Sequence, residues 1–506
     1  MPEAMRERTD DDVQRLAARI AAAFLENYLV DGVYRRDAIA KLCRLATAWD
    51  DRLSRVGQHV IFSDLVEPLS DSFNSRSVAL YDRIFAQIIG FCRRLPTGKP
   101  LDAMLGRFGM RAEQDLLDRK ARIRRPATFP RSRRATVKKI FVLSRVTLVA
   151  EVAVTSIILQ KMKQAFPGAD VVLLAHAQMK ELLGGDAKIN IQAVPYARRG
   201  RLLERLQAWI DLVDLLDQER RGLLPGEYLI VDPDSRLTQL GLLPMTEGDA
   251  GYYFFESRSF KKPALPRIGQ LTARWLTDLF GPGDRALYPY VALLPEHARF
   301  GRNLCRRIRQ GGGRHIAAVS FGVGDNARKR ISDAFETELL SSLLADESRI
   351  VLDKGVGEEV ERANRIIARL RDRGKNVVEI EEGATPKGSE GETLRCDVLA
   401  WEGGVGFFSG LIAASDLYVG YDSAFQHVAA ALGVPVIDIF ADLRNPLFVS
   451  RWEPYTRGTV KIVKAGPPRE NILGRVLACH REIKGRLNTL RAPRKVNASR
   501  SSRRAR

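Results

Sequence analysis

DLYVGYDSAFQHVAAALGVPVIDIF, residues Asp416–Phe440, decides the fold because it reads as a strand, a polar turn, a helix and a second strand without spare residues. The first apolar run is short and ends at Gly420, as in a buried parallel strand. The helical period begins at Phe425, and Gly433 ends it. A helix that starts directly after a parallel strand points free N–H groups at the carboxyl edge of the sheet. Residues 420–427, which we call the cradle, are therefore predicted to bind an anion such as a diphosphate.

Short apolar runs alternate with amphipathic stretches on the N-terminal side of the cradle, in two series. This rhythm predicts an α/β fold of two Rossmann-like, doubly wound domains that face each other across a cleft, after an all-helical N-terminal domain. The aromatic run 252–255 either lines that cleft or is a buried strand. The expected strands are 139–143, 170–175, 189–194 and 227–231 in the first series, and 316–321, 350–352, 377–380, 417–419 and 436–440 in the second. The expected domains are 1–118 (helical), 119–138 (basic linker), 139–285 and 286–480 (Rossmann-like), and 481–506 (basic tail).

Length and composition exclude several classes of protein. A chain of 506 residues with 45% hydrophobic residues can build two or three cores. It has no run of eighteen uncharged apolar residues and no apolar signal sequence near its start. The five cysteines are odd in number and lack metal-like spacing. We therefore expect a cytoplasmic protein.

The net charge of +20 is concentrated in two segments. Residues 119–139 hold ten Lys and Arg and no acid, and residues 491–506 hold seven and no acid. Such basic segments suit an anionic membrane surface, which would place the protein on the inner face of the membrane. The alternative is a solvated linker and tail. Nucleic acid is a less suitable partner, because the sequence contains no nucleic-acid-binding module.

Two further loops follow predicted strands and carry charged or small residues. The loop after the strand 316–321 contains Ser320, Gly322 and Lys329. Small residues let the backbone approach an anion, and a lysine adds a compact positive charge. The loop after the strand 139–143 contains Arg145, and Glu151 follows at the start of a helix. A carboxylate at this place either acts as a general base or only stabilises the helix N-terminus.

Residues 137–480 resemble the ADP-heptose:lipopolysaccharide heptosyltransferase family, inverting glycosyltransferases of the GT-B fold. The family signature is an acidic residue, Ser or Thr, Gly, two variable residues and His, then a helix that ends in Gly-Val-Pro. It is similar to Asp422, Ser423, Ala424 and His427 followed by 433–435. The resemblance implies that this turn holds the diphosphate of a nucleotide sugar. Ala424 replaces the family's glycine, so we expect the turn to be reshaped.

The same resemblance implies roles for the other loops. Lys329 occupies the position of a lysine that reaches the donor phosphates, with Ser320 and Gly322 in the loop before it. Arg145 lies on the acceptor side. Glu151 falls at the position of the presumed catalytic aspartate, and Ala150 stands where the family has glycine.

Single residues of the cradle also have simpler interpretations. His427 either donates to a phosphate oxygen or is a packed core histidine. Asp422 could serve only as a helix N-cap. The Asp-Pro-Asp sequence 232–234 is like a metal-binding D-x-D, yet it lies in the first domain and is better explained as an Asx-type turn. We therefore predict no metal and no cofactor.

The resemblance implies a metal-independent, inverting transferase of a heptose or similar sugar. Its partners would be a nucleotide diphosphate sugar donor and a glycolipid, lipopolysaccharide-like or other macromolecular acceptor. Two alternatives stay open. The substitutions at Ala150, Glu151 and Ala424 suit a descendant of the fold that binds a nucleotide sugar without transfer. The basic segments suit a nucleic-acid-associated protein.

Overall fold

The computed structural model describes residues 9–124, 128–196, 200–262, 264–324, 326–383, 393–466 and 471–491. Its N-terminal part is helical. Thr9 caps the first helix by accepting a hydrogen bond from the Asp12 N–H group, and Gly32 ends it with a positive φ of 72°. The helices are Asp10–Asp31, Arg36–Ala46, Asp51–His59, Glu67–Asp71, Ser75–Cys92, Lys99–Arg107 and Glu113–Ile123, with a π-helix at Val60–Val66.

The first sheet has five parallel strands in the order β3-β2-β1-β4-β5. The strands are β1 Lys139–Leu143, β2 Asp170–Ala175, β3 Ile189–Ala193, β4 Tyr228–Asp232 and β5 Tyr252–Phe254. The main helices around it are Leu148–Ala150 (continued by a π-helix, Glu151–Thr155), Ser156–Ala165, Met179–Leu183, Leu202–Glu219 and Ile268–Phe280. The aromatic run 252–255 is thus mostly strand β5.

The second sheet has seven parallel strands in the order β12-β11-β10-β6-β7-β9-β8. The strands are β6 His315–Ser320, β7 Ser348–Asp353, β8 Val377–Glu381, β9 Val398–Glu402, β10 Leu417–Tyr421, β11 Val436–Phe440 and β12 Val460–Lys464. Its helices are Pro295–Gln310, Asp333–Ala345, Glu358–Asp372, Val405–Ala414, Ala424–Ala431, Pro446–Trp452 and Ile472–Arg491.

Alternate residues of each strand enter different hydrophobic cores. In β1, Phe141 and Leu143 pack in one core with the N-terminal helices and with Trp209, whereas Ile140 and Val142 face the opposite core. The second core is shared with one face of the second sheet, and a third core covers its other face. The predicted α/β class with two parallel sheets after N-terminal helices is therefore confirmed. The helices also form a packed layer of the first α/β domain.

The expected basic ribbon at residues 119–139 is wrong at its start, residues 119–124. Arg119 and Lys120 belong to the helix Glu113–Ile123 and are almost fully buried. Arg119 forms an ion pair with Asp249 at 2.6 Å, and Arg124 pairs with Asp82 at 2.7 Å. A buried charge needs a partner, and these acids lie elsewhere in the sequence, so a local charge count could not reveal them.

Other expectations differ from the structure at the ends of elements. Strands β9 and β12 were not expected from their sequences. Residues 481–491 continue the last helix, and the rest of the predicted basic tail, 492–506, lies outside the described residues. Within the described ranges, no helix combines the length and the apolar character that crossing a membrane requires.

Candidate functional site: the cradle and the opposite edge

The cradle lies where β10 ends and an eight-residue helix begins. Ser423 is the N-cap in extended backbone, and its side chain makes no capping hydrogen bond. The first N–H groups of the helix are therefore not satisfied by the cap side chain. Ala424 is the first helical residue and is not among the residues with positive φ. Ala424 thus adopts ordinary helical backbone here, and the expected reshaping relative to the family's turn stays a prediction.

Lys329 reaches the cradle from the loop after β6. Its Nζ lies 2.6 Å from Asp422 Oδ2 and 5.1 Å from the centre of the Phe448 ring. The other Asp422 oxygen, Oδ1, accepts a hydrogen bond from Gln426 Nε2 at 3.0 Å. Asp422 is thus not the N-cap; it holds Lys329 against the helix start. Two loops that are far apart in sequence, and were predicted to share a site, do lie together.

His427 is buried on the cradle helix beside Trp452, with ring centres 6.1 Å apart in an edge-to-face arrangement. Burial, together with the Lys329 charge, lowers the pKa of His427 to about 3. The imidazole is therefore neutral at physiological pH. It can donate one N–H to a ligand, but it adds no positive charge to the site.

Several buried polar atoms around the cradle have no hydrogen-bond partner among the described residues. They are Gln426 Oε1 and both carboxyl oxygens of Asp438. Asp438 on β11 pairs in register with Gly420 on β10, directly below the cradle. Burial and the neighbouring Asp422 raise the pKa of Asp438 far above its usual value. Such unpaired groups are costly unless something else satisfies them, which is consistent with a polar ligand at this edge.

The carboxylate of Glu359 binds the backbone of the loop that follows β6. Glu359 Oε1 accepts the N–H groups of Val323 and Gly324 at 2.9 and 3.0 Å. Ser320 is fully buried, and its hydroxyl donates to Asp353 Oδ2 at 2.9 Å. Asp325 lies outside the described residues.

Two of the predicted phosphate-binding residues, Ser320 and Gly322, lie against carboxylates of the protein itself. Ser320 is occupied by Asp353, and a Cβ atom at Gly322 would lie 3.0 Å from Glu359 Oε2. Gly322 therefore leaves room for the carboxylate that shapes the loop. The sequence does not predict the role of Glu359. This residue lies in the first turn of an acidic helix, and no residue near it in sequence indicates that it binds the loop after β6.

Glu151 lies at the carboxyl edge of the first sheet and is buried. Its Oε1 accepts hydrogen bonds from the Ser144 hydroxyl and, at 2.8 Å, from the Val146 N–H. Val146 has a positive φ of 69°, so the carboxylate fastens a strained turn. Burial raises the pKa of Glu151, although these hydrogen bonds oppose the shift. The π-helix that begins at Glu151 is a form often found near functional sites.

Arg145 is buried in the same turn, and its Nη1 donates to Ser257 Oγ at 2.8 Å. Burial and the nearby Arg258 lower the pKa of Arg145 to about 10, whereas Asp234 and Glu151 oppose this shift. Asp234 forms an ion pair with Arg258 at 2.6 Å. These groups form a compact polar cluster opposite the cradle.

The Asp-Pro-Asp sequence is structural. Asp232 Oδ1 accepts the Ser235 N–H at 2.6 Å, and Oδ2 accepts the Thr238 hydroxyl at 2.6 Å. Both carboxylates are therefore engaged with their own turn or with Arg258. In the described part of the chain, no group of three or more His, Cys, Asp or Glu side chains is placed to hold a metal ion.

The structure brings the two predicted groups of residues to one interface. The cradle helix packs against the segment 148–155, which carries Glu151. Lys329, Asp422, Ser423, Ala424 and His427 form one group, and Arg145 with Glu151 form the other. Ser320 lies beside the first group, since it pairs in register with Gly420 on β10.

Comparisons with known proteins bear on the cradle most directly. Residues 406–470 match glycosyltransferase family 9 (heptosyltransferase), a range that includes β10, the cradle helix, β11 and β12. No curated protein matches the chain.

Several solved structures are similar to the chain at low identity. The family 9 glycosyl transferase from Veillonella parvula DSM 2008 is 12% identical, over 72% of this chain and 92% of its own, with a TM-score of 0.48. The E. coli ADP-heptose lps heptosyltransferase II is 17% identical, over 68% and 99%, with a TM-score of 0.44. The E. coli heptosyltransferase WaaC with ADP is 15% identical, over 69% and 99%, with a TM-score of 0.44. The predicted resemblance is confirmed over residues 406–470, which match the glycosyltransferase family 9 (heptosyltransferase) model.

Proposed function

We propose that this protein is a glycosyltransferase that moves a sugar, a heptose or a similar one, from a nucleoside diphosphate donor to an acceptor hydroxyl. The observation that carries the proposal is Lys329, held 2.6 Å from Asp422 at the cradle that matches the family. A diphosphate at the helix start would meet free N–H groups and could draw the ammonium away from Asp422. The neutral His427 would donate its N–H to a phosphate oxygen.

The reaction we propose is direct displacement with inversion and without a metal ion. Lys329 and the helix N-terminus would stabilise the charge that grows on the departing diphosphate. Glu151 falls where the family has its presumed catalytic aspartate, and it is therefore a candidate for the base that takes the acceptor proton. The acceptor we propose is a glycolipid, lipopolysaccharide-like or other macromolecular hydroxyl.

A cytoplasmic location, peripheral on the inner face of a membrane, stays a prediction that rests on the cysteine pattern and on the basic segment 491–506. The nucleic-acid alternative loses much of its basis, because several cations of segment 119–139 are paired with acids of the folded body.

A second candidate is a protein that binds a nucleotide sugar without transferring it. It is favoured by the burial of Glu151 and by the hydrogen bonds that tie its carboxylate to the turn. In this case the cradle would keep its ligand, but no base would face the acceptor.

Thermal unfolding with a panel of nucleoside diphosphate sugars, including ADP-heptose, tests the binding step. A ligand at one hundred times its dissociation constant adds about 2.7 kcal/mol of stability, which shifts the midpoint by several degrees. We expect at least one donor to stabilise the protein and the same donor to stabilise Lys329→Ala much less. If no member of the panel changes the midpoint, the proposed function is wrong.

A further inference from the structure

A turn of the helical layer reaches the second α/β domain beside the cradle. We call residues 70–74 the cleft turn; it joins the helices that end at Asp71 and begin at Ser75. Asn445 Nδ2 donates to the backbone oxygen of Asp71 at 2.7 Å. Asn445 also caps the helix Pro446–Trp452, whose Phe448 ring lies under Lys329. The cleft turn and the predicted phosphate-binding Lys329 therefore contact the same capped helix.

Phe73 anchors this turn between aromatic and basic side chains. Its ring centre lies 6.4 Å from that of Phe448, and the Arg451 guanidinium lies 5.8 Å from the Phe73 ring. Phe73 is buried and has a positive φ of 51°. A bulky residue adopts this conformation only when its surroundings enforce it, and such strain is concentrated at functional sites.

The Asp71 side chain is exposed, in contrast to its neighbour Phe73. The positive charges near its carboxyl group come from both α/β domains: Arg258 and Arg236 from the first, and Lys329 from the second. Ser70 Oγ also donates to Asp71 Oδ1 at 3.4 Å. Desolvation by the surrounding protein outweighs these effects and raises the pKa of Asp71. The carboxylate thus lies among the cations of three different segments, at a surface that a ligand can reach.

Glu151 and Asp71 differ in their access to a substrate. Glu151 is 2% exposed and its Oε1 fastens the turn of Ser144 and Val146. Its Oε2 has no hydrogen-bond partner among the described residues but is buried, so an acceptor hydroxyl reaches it only if the surrounding groups move apart. Asp71 needs no such movement, because it is an exposed residue.

We propose that Asp71 is a catalytic residue of the transfer reaction, the carboxylate that takes the proton of the acceptor hydroxyl. This inference rests on the proposed function. The acceptor oxygen forms a bond to the anomeric carbon of the donor sugar while the bond from that carbon to the diphosphate oxygen breaks. The nucleoside diphosphate leaves with the bonding electron pair, next to Lys329 and the cradle. The hydroxyl proton ends on Asp71 rather than on Glu151, the candidate base at the family position, and Glu151 instead positions the turn that carries Arg145.

The kinetic test compares Asp71→Asn and Glu151→Gln with Asp31→Asn, an exposed carboxylate at the end of the first helix. The readout is ADP release from ADP-heptose, with lipid extract as acceptor, between pH 5 and 9. We expect Asp71→Asn to slow release by about a hundredfold or more, as is typical for a lost general base, with a change of less than about threefold in the Kd of ADP. The acidic limb of the wild-type pH profile should also disappear in this variant.

A second test needs no turnover. Asp71→Cys in a Cys479→Ser background carries one accessible thiol, since the other four cysteines are buried. We expect ADP-heptose to slow its labelling by maleimide. Suppose that ADP-heptose stabilises the protein, but does not slow the labelling, and that Asp71→Asn releases ADP as fast as the wild type. The inference is then overturned and the proposed function stands. If no nucleotide sugar stabilises the protein, both fall together.

Discussion

At the scale of single residues, Lys329 is the side chain whose position most supports donor binding. Replacement by alanine removes a charge-assisted contact to the diphosphate, which is typically worth about 1.5–3 kcal/mol. We expect Lys329→Ala to raise the Kd of ADP by about tenfold to a hundredfold in isothermal titration calorimetry. Arg328→Ala is the matched control, because Arg328 is the adjacent cation and is exposed. Equal losses in both variants would show that only the general charge of the loop matters.

His427 gives a pH-dependent stability with a defined sign. Its pKa falls from an ordinary value of 6.5 to about 3 in the folded protein, mainly because the ring is buried. The unfolded chain therefore binds a proton first, and the contribution of this residue to stability is lost as the pH falls from 6.5 towards 3. At pH 5 the loss is about 2 kcal/mol relative to pH 7.5, from 1.36 kcal/mol per pKa unit.

Urea unfolding of the wild type and of His427→Gln at both pH values measures this effect. We expect the variant to lose less stability than the wild type between pH 7.5 and pH 5. A wild-type imidazole that titrates near 6.5 by NMR would contradict the buried, neutral state.

The sequence predicts the cradle well and its surroundings less well, for a physical reason. Asp422, Ser423 and His427 are neighbours in sequence, so their spacing on a strand-turn-helix unit determines their geometry. Asp71 and Glu359 act through partners that are distant in the chain, and nothing in their local pattern shows this.

At the scale of elements, the helix Glu113–Ile123 is fastened to the first α/β domain by buried charges. Lys120 Nζ lies 3.6 Å from Asp82 Oδ1 and 3.4 Å from Glu256 Oε1, and it donates to the Leu240 carbonyl oxygen. Burial raises the pKa of Asp82 to about 6, against the effect of Lys120 and Arg124. The position of this helix therefore depends on an ion-pair network and on its apolar face.

Removal of the Lys120 charge tests that network. Lys120→Met keeps the length of the side chain but leaves the buried Asp82 and the half-buried Glu256 without this partner. We expect it to lower the free energy of unfolding by about 3–5 kcal/mol, the usual result of breaking a buried pair. Arg122→Ala, at an exposed position of the same helix, should cost less than about 1 kcal/mol. Urea denaturation of both variants makes the comparison, and similar small losses would contradict a structural role for Lys120.

The boundaries of some strands can be predicted from the sequence pattern alone. Strands β1, β2 and β11 were predicted to the residue, because each is a short apolar run with clear turn signals. The basic stretch at 119–123 resembles a linker in sequence but is the end of a helix, since the acids that neutralise it come from other segments. The hydrophobic periodicity of a sequence shows which face of a helix is apolar. It does not show which distant residue forms an ion pair with a buried charge.

At the scale of the whole molecule, the N-terminal helices are part of the first domain's core. They cover the face of the first sheet that presents Phe141 and Leu143, and Phe108 packs against Trp209 with ring centres 6.1 Å apart. Through the cleft turn they also contact the second domain. The N-terminal helices are therefore not packed as a separate domain, since they share a core with the first sheet.

Deletion of residues 1–110 is the corresponding test. The shortened chain would expose a large apolar surface of the first sheet, and exposed surfaces of this kind promote aggregation. We expect it to be insoluble, or to bind the dye ANS strongly, whereas the full chain does not. A soluble, monomeric fragment with an unchanged melting temperature would show that the helices are dispensable for the fold.

The central claim is that donor binding at the cradle leads to sugar transfer, and its most direct test is the fate of a radiolabelled sugar. The full chain is incubated with labelled ADP-heptose and bacterial membranes, and the label in the lipid fraction is counted for the wild type, Lys329→Ala and Arg328→Ala. We predict incorporation by the wild type and by Arg328→Ala, with a reduction of at least about tenfold in Lys329→Ala. Tight binding of ADP-heptose by the wild type without any transfer or hydrolysis would contradict the claim and favour the non-transferring alternative.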